Sequence, residues 1–182
     1  MAKLLDKLII VDLEATCWED GNFNRPDHQQ SEIIEVGVAV FDYNKGEITA
    51  NESIIVRPQF SRISDFCTKL TTLTQNDVDK GVSLDEACAK LTEYGANGKR
   101  TWASWGDYDR TQLERECKSK QIRYPFGKTH LNIKNLFAIW MEMDRECSVS
   151  DALRKLNMKF DGTEHRGIDD ARNIARIYKE YY

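Results

Sequence analysis

Two carboxylates close an apolar run in Leu8-Ile9-Ile10-Val11-Asp12-Leu13-Glu14-Ala15-Thr16, and no other feature of the chain limits its fold as tightly. The run calls for burial, and burying a charge without a partner is very costly. Strand side chains alternate with a period of two, so Asp12 and Glu14 project to one face. Together they offer two hard oxygen donors of the kind that suits Mg²⁺ or Mn²⁺. The alternative is a strand that stops at Val11, with both acids solvated beyond its tip.

The chain has 182 residues, of which 41% are hydrophobic, enough for one substantial core. Only three prolines occur, and no linker, repeat or low-complexity tract interrupts the sequence, so residues 1–182 read as one domain. The apolar run after the charged N-terminus is too short for a signal-peptide core and is broken by Asp12. Nothing approaches the ~20 apolar residues of a membrane-spanning helix. Cys17, Cys67, Cys88, Cys117 and Cys147 are scattered, odd in number and never in a C-x-x-C pair, which fits reduced thiols. With His28, His130 and His165 they show no zinc-site spacing. A soluble, cytoplasmic protein with no membrane partner is expected. The net charge of −4 argues against gripping long duplexes through many phosphates. It does not argue against holding a few nucleotides, because bound cations would restore positive potential locally.

Strand and turn patterns give Lys7 to Leu13, Ile33 to Phe41, and Glu47 to Pro58, the last two joined as a hairpin through Asp42-Tyr43-Asn44-Lys45-Gly46. Ser83-Leu84-Asp85-Glu86 reads as a capping box that opens a helix to Tyr94, closed by Gly95. Thr101 to Trp105 is a fourth strand, a helix starts near Asp109, and Thr129 to Ile133 is a candidate fifth strand. Helical spacing follows over Asn135 to Met143, after Ser148, and along Ile168, Ala171, Ile174, Ala175 and Tyr178. Strands first and alternating elements afterwards make a mixed α/β architecture.

Two further segments carry acids where sites form. Asp109, in Trp105-Gly106-Asp107-Tyr108-Asp109, stands where a strand hands over to a helix, the place where α/β sheets put their ligands. Helix capping is the competing explanation for Asp107 and Asp109. His165-Arg166-Gly167-Ile168-Asp169-Asp170 opens the terminal helix. A five-residue step does not share a helix face, so His165 and Asp170 converge only if His165 lies in the preceding loop, with Gly167 allowing the bend. A surface or capping histidine is the plain alternative.

Asp12-x-Glu14, Asp109 and His165-x-x-x-x-Asp170, in this order and spacing, resemble the DEDDh family of 3′→5′ exonucleases. The Glu14 to Trp18, Leu70 to Thr74 and Ser104 to Asp109 segments are most similar to its enhanced-RNA-interference (ERI-like) subgroup. The resemblance implies a ribonuclease H-like fold, with a five-stranded mixed sheet flanked by helices. It implies that Asp12, Glu14, Asp109 and Asp170 hold two Mg²⁺ or Mn²⁺ ions and that His165 is the general base, with Asp107 and Asp169 as neighbours only. In the family's two-metal scheme one ion activates the attacking water and the other stabilises the leaving 3′-oxygen. The partner is then a nucleic acid 3′ end, RNA in preference to DNA, and the products are nucleoside 5′-monophosphates. Thr72 departs from the glycine that many members carry, and the nucleic-acid-binding extension of some ERI-like proteins is absent.

Substrate contacts are expected at Thr16 near the ribose, Leu73 against a base, Trp18 as a stacking platform and Arg166 beside the base. Leu73 and Trp18 have packing as their competing role. Lys118, Lys120, Arg123, Lys128 and Lys134 are a candidate phosphate track or a solvated face. Two rival functions remain at this level. Asp12-x-Glu14-x-Thr16 loosely resembles the motif of haloacid-dehalogenase phosphatases, and a non-catalytic RNA-binding module would keep the same fold.

Overall fold

The computed structural model describes residues 3–19 and 30–182. Among the described residues, five strands form one sheet in the order β3-β2-β1-β4-β5. β1 (Leu4–Ala15) is antiparallel to β2 (Ile33–Asp42), and β2 to β3 (Glu47–Ile55). β4 (Arg100–Ser104) and β5 (His130–Asn132) run parallel to β1. The mixed sheet is thus three antiparallel strands extended by two parallel ones, in keeping with the five-stranded mixed sheet that the family resemblance implied.

Helices cover both faces. α1 (Asp65–Thr71), α2 (Gln75–Asp79) and α3 (Leu84–Tyr94) follow β3; α4 (Tyr108–Ser119) follows β4; α5 (Ile133–Trp140), α6 (Val149–Lys155) and α7 (Gly167–Tyr181) complete the chain. The Ser83–Glu86 capping box and the Gly95 C-cap of α3 are both present. The sequence patterns gave no element for the stretch that forms α1 and α2. Both are short and polar, so neither carries a periodic apolar stripe long enough to be read.

Alternation along β1 sorts the core. Ile9, Val11 and Leu13 pack with Leu84, Leu91 and Leu113 on one face. Leu8 and Ile10 pack with Ala39, Phe41, Ala171, Ile174 and Ala175 on the other. β1 does not stop at Val11 but continues to Ala15, so Asp12 and Glu14 prolong the face that carries α7. α7 reaches that face closely because two glycines meet there. A Cβ on Gly37 would lie 1.8 Å from the Gly167 carbonyl oxygen, and a Cβ on Gly167 would lie 3.1 Å from the Asp12 carbonyl oxygen. Among the described residues, no helix is long and apolar enough to cross a membrane.

Candidate active site

The first-strand acids meet the start of α7. One carboxylate oxygen each from Asp12, Glu14 and Asp170 lie within 4.8 Å of one another, all on half-buried residues. Asp109 sits deeper, in the first turn of α4, 4% exposed. Its Oδ1 accepts the Leu13 N–H at 2.9 Å, which ties α4 to β1 between the two first-strand acids. All four acids therefore converge on one end of the sheet.

Crowding and burial oppose their ionisation. Burial, then repulsion from Asp170, Glu35 and Asp109, pushes the Glu14 carboxyl up to about 9. Burial raises Asp170 to about 7, against the lowering effect of the His165 and Arg166 backbone N–H groups. Burial raises Asp109 to about 6, with the Leu13 N–H and the Ser104 hydroxyl pulling the other way. Asp12 is driven well above the usual carboxylate range by burial and by its acidic neighbours. Asp170 Oδ2 is buried with no hydrogen-bond partner among the described residues. Hard oxygen donors that repel one another, one of them orphaned, are what a divalent cation would satisfy.

His165 lies in the turn just before α7, exposed, with its backbone N–H directed at the Asp170 carboxylate. His165 therefore lies in the loop before the helix, and its backbone N–H is what reaches Asp170. The means differs from expectation: the bend falls at His165 itself, with φ of 62°, while Gly167 is the first helical residue. What Gly167 supplies is close packing on Gly37 and Asp12. Asp107 and Asp169 are not among the three converging acids. Asp107 pairs with Arg110 at 3.0 Å, and Asp169 with Arg172 at 2.7 Å and the Thr163 N–H at 2.9 Å.

A family model described as Exonuclease matches residues 9–178. The chain belongs to the exonuclease family. It is 34% identical over 182 residues to human 3′-5′ exoribonuclease 1, with 94% of this chain and 51% of that protein covered. It is 30% identical over 191 residues to the 3′-5′ exonuclease Snipper of Drosophila melanogaster, with 93% of this chain and 67% of that protein covered. The solved nuclease domain of 3′hExo, a DEDDh family member bound to rAMP, is similar at a TM-score of 0.86 and 31% identity, covering 99% of this chain and 93% of that one. The chain spans about half the length of the human exoribonuclease. The DEDDh resemblance and the ribonuclease H-like fold both stand on these matches.

Within this exonuclease fold, several of the expected substrate contacts also have partners inside the protein. Thr16 is fully buried, and its hydroxyl bonds Ser61 Oγ at 3.0 Å and accepts the Glu32 N–H at 2.9 Å. It holds the end of β1. The exonuclease match removes the dehalogenase-type reading of Asp12-x-Glu14-x-Thr16. Leu73 is 3% exposed and packs with Ile34, Cys67 and Val78. Trp18 is half-buried. The Arg166 guanidinium is engaged by Glu35, with Nε to Oε2 at 3.0 Å, and reaches Thr72 Oγ1 at 3.4 Å. The five basic residues do not form one track. Lys120 is locked between Glu32 (2.6 Å) and Glu116 (2.8 Å), Lys134 pairs with Glu146 at 2.9 Å, and Lys118 and Lys128 border a separate pocket with Tyr124 and Phe126.

Glu35 is the residue that the sequence reading passed over. It stands opposite Glu14 in the β1–β2 register, is fully buried, and accepts from Ser53 Oγ (2.6 Å), Arg166 Nε (3.0 Å) and the Gly167 N–H (3.1 Å). It thereby pins the start of α7, and with it Asp170, to the sheet. The signal was available: an acid inside the apolar run Ile33 to Phe41 is the same anomaly that singled out Asp12.

Proposed function

We propose that this chain is a metal-dependent 3′→5′ exonuclease that removes nucleoside 5′-monophosphates from RNA 3′ ends. The observation that carries the reading is the meeting of Asp12, Glu14 and Asp170 within 4.8 Å, with Asp109 beneath them, in a member of the exonuclease family. RNA is favoured because similar proteins are named exoribonucleases. A 3′-exonuclease of 31% identity, solved with a histone mRNA stem-loop, recognises its 3′ end.

Asp12, Glu14, Asp109 and Asp170 would hold two Mg²⁺ or Mn²⁺ ions. Bound there, the cations would neutralise the anionic phosphodiester and acidify water for attack. Asp12 and Glu14 fix the donors on a central strand, and Asp170 is delivered by the glycine contact between α7 and β2. His165, exposed in the turn that leads into α7, would accept the proton of the attacking water, a task to which imidazole is suited near neutral pH. A cytoplasmic setting belongs to the same proposal, in keeping with five unbridged cysteines.

Incubation of 5′-labelled RNA and DNA oligonucleotides with Mg²⁺ or Mn²⁺ tests the reading. A descending ladder from RNA with a free 3′ end is expected, with none from 3′-blocked RNA and none from Asp12→Asn. Cleavage that ignores the block, or an Asp12→Asn protein of unchanged rate, refutes it.

A further inference from the structure

A basic cleft lies at the same end of the sheet as the acid cluster, on an acidic chain of net charge −4. It measures about 870 Å³ and is lined by Lys134, Arg145, Arg154 and Lys155 against only Glu146 and Asp151. Both acids are already engaged, Glu146 by Lys134 at 2.9 Å and Asp151 by Arg154. Arg145 and Lys155, both exposed, have no ion-pair partner among the described residues. The cleft is therefore positive with two uncommitted cations.

Its placement is set by the topology. β5 runs parallel to β1 and β4, so the start of α5, with Lys134, stands at the same sheet end as Asp12 and Asp109. Its walls are joined to both arms of the site. Trp105 Nε1 donates to the Cys147 carbonyl at 2.9 Å, and Lys134 Cδ lies 3.6 Å from where a Gly106 Cβ would stand, in the segment leading to Asp109. On the other side, Ser150 Oγ of α6 donates to Glu164 Oε1 at 2.6 Å, one residue before His165.

We propose that this cleft between α5 and α6 carries the phosphodiester backbone of the RNA strand upstream of its 3′ end, with Arg145 and Lys155 contacting phosphates. The inference rests on the exonuclease reading and extends it: the acid cluster takes the terminal nucleotide, and the cleft takes the strand behind it. Affinity then grows with substrate length and falls with salt, by a slope of about 0.7 per phosphate contact on a single strand.

The test compares Arg145→Glu/Lys155→Glu with Lys45→Glu/Lys99→Glu, which makes the same charge change at the opposite end of the sheet. Binding of a labelled 20-nucleotide RNA is read by anisotropy with Ca²⁺ in place of Mg²⁺, and hydrolysis of the 20-mer and a dinucleotide is read with Mg²⁺. The cleft variant should bind the 20-mer about tenfold more weakly with a salt slope reduced by about 1.4, and should cut the dinucleotide at the unaltered rate. Equal weakening by both double variants, weakening by neither, or no binding of the 20-mer by the unaltered protein overturns the cleft assignment. An unaltered protein that binds the 20-mer in the predicted way but cuts nothing overturns the exonuclease reading alone.

Discussion

Glu14→Gln should stabilise the metal-free protein while removing its activity, and the size of the gain follows from the site. The fold raises this carboxyl from 4.5 to about 9 through burial and the charges of Asp170, Glu35 and Asp109. An acid raised in the folded state favours the protonated form, so its stability contribution is intact below about 4.5 and is lost as pH rises toward 9. Between pH 5 and pH 8 the loss is on the order of 4 kcal/mol, and about 2–3 kcal/mol after allowing for partial solvent access. Glutamine keeps the shape and carries no charge, so it should recover most of that difference. Urea denaturation in EDTA at the two pH values measures it. The unaltered protein should weaken from pH 5 to pH 8, the variant should weaken much less, and Mg²⁺ should stabilise the unaltered protein more than the variant. A variant no more stable than the parent in EDTA at pH 8, or one with the same pH dependence, would show that the four acids are not in electrostatic conflict.

Gly37→Ala forces a Cβ to within 1.8 Å of the Gly167 carbonyl oxygen; a stability loss of about 1–3 kcal/mol should accompany a larger drop in hydrolysis as Asp170 moves, read by urea denaturation and ladder assay on the same sample. Thr72 caps α1 at φ of 64°, a strained setting for a β-branched residue, so Thr72→Gly should raise stability by about 0.5–1 kcal/mol; a thermal shift in the other direction would mean that its contact with Arg166 outweighs the strain. His165→Ala, at an exposed turn, should lower kcat by roughly 10²–10⁴ and leave the melting temperature unchanged; full activity would remove His165 as the proton acceptor.

Local chemistry made much of this molecule legible. The capping box at Ser83, the Gly95 stop, the β-branched runs of β1 and β2 and the stripe of α7 each depend on neighbours a few residues away, so they can be read without knowing the fold. Acids set in apolar runs were equally legible, because their cost is independent of topology. That rule singles out Asp12 and Glu14, and it applies equally to Glu35 within the run of β2.

Direction and occupancy of side chains were different. That Thr16 and Leu73 point inward depends on Ser61, Glu32, Ile34 and Val78 closing over them from distant segments. That Lys120 is bound by Glu32 and Glu116 removes it from any surface track. The amino-acid order alone determined which groups the protein has for holding cations and moving a proton, since composition and period are properties of the chain. Only the folded molecule decided which of them meet, because Gly37, Gly167 and Glu35 act across some 130 positions to bring α7 onto the sheet.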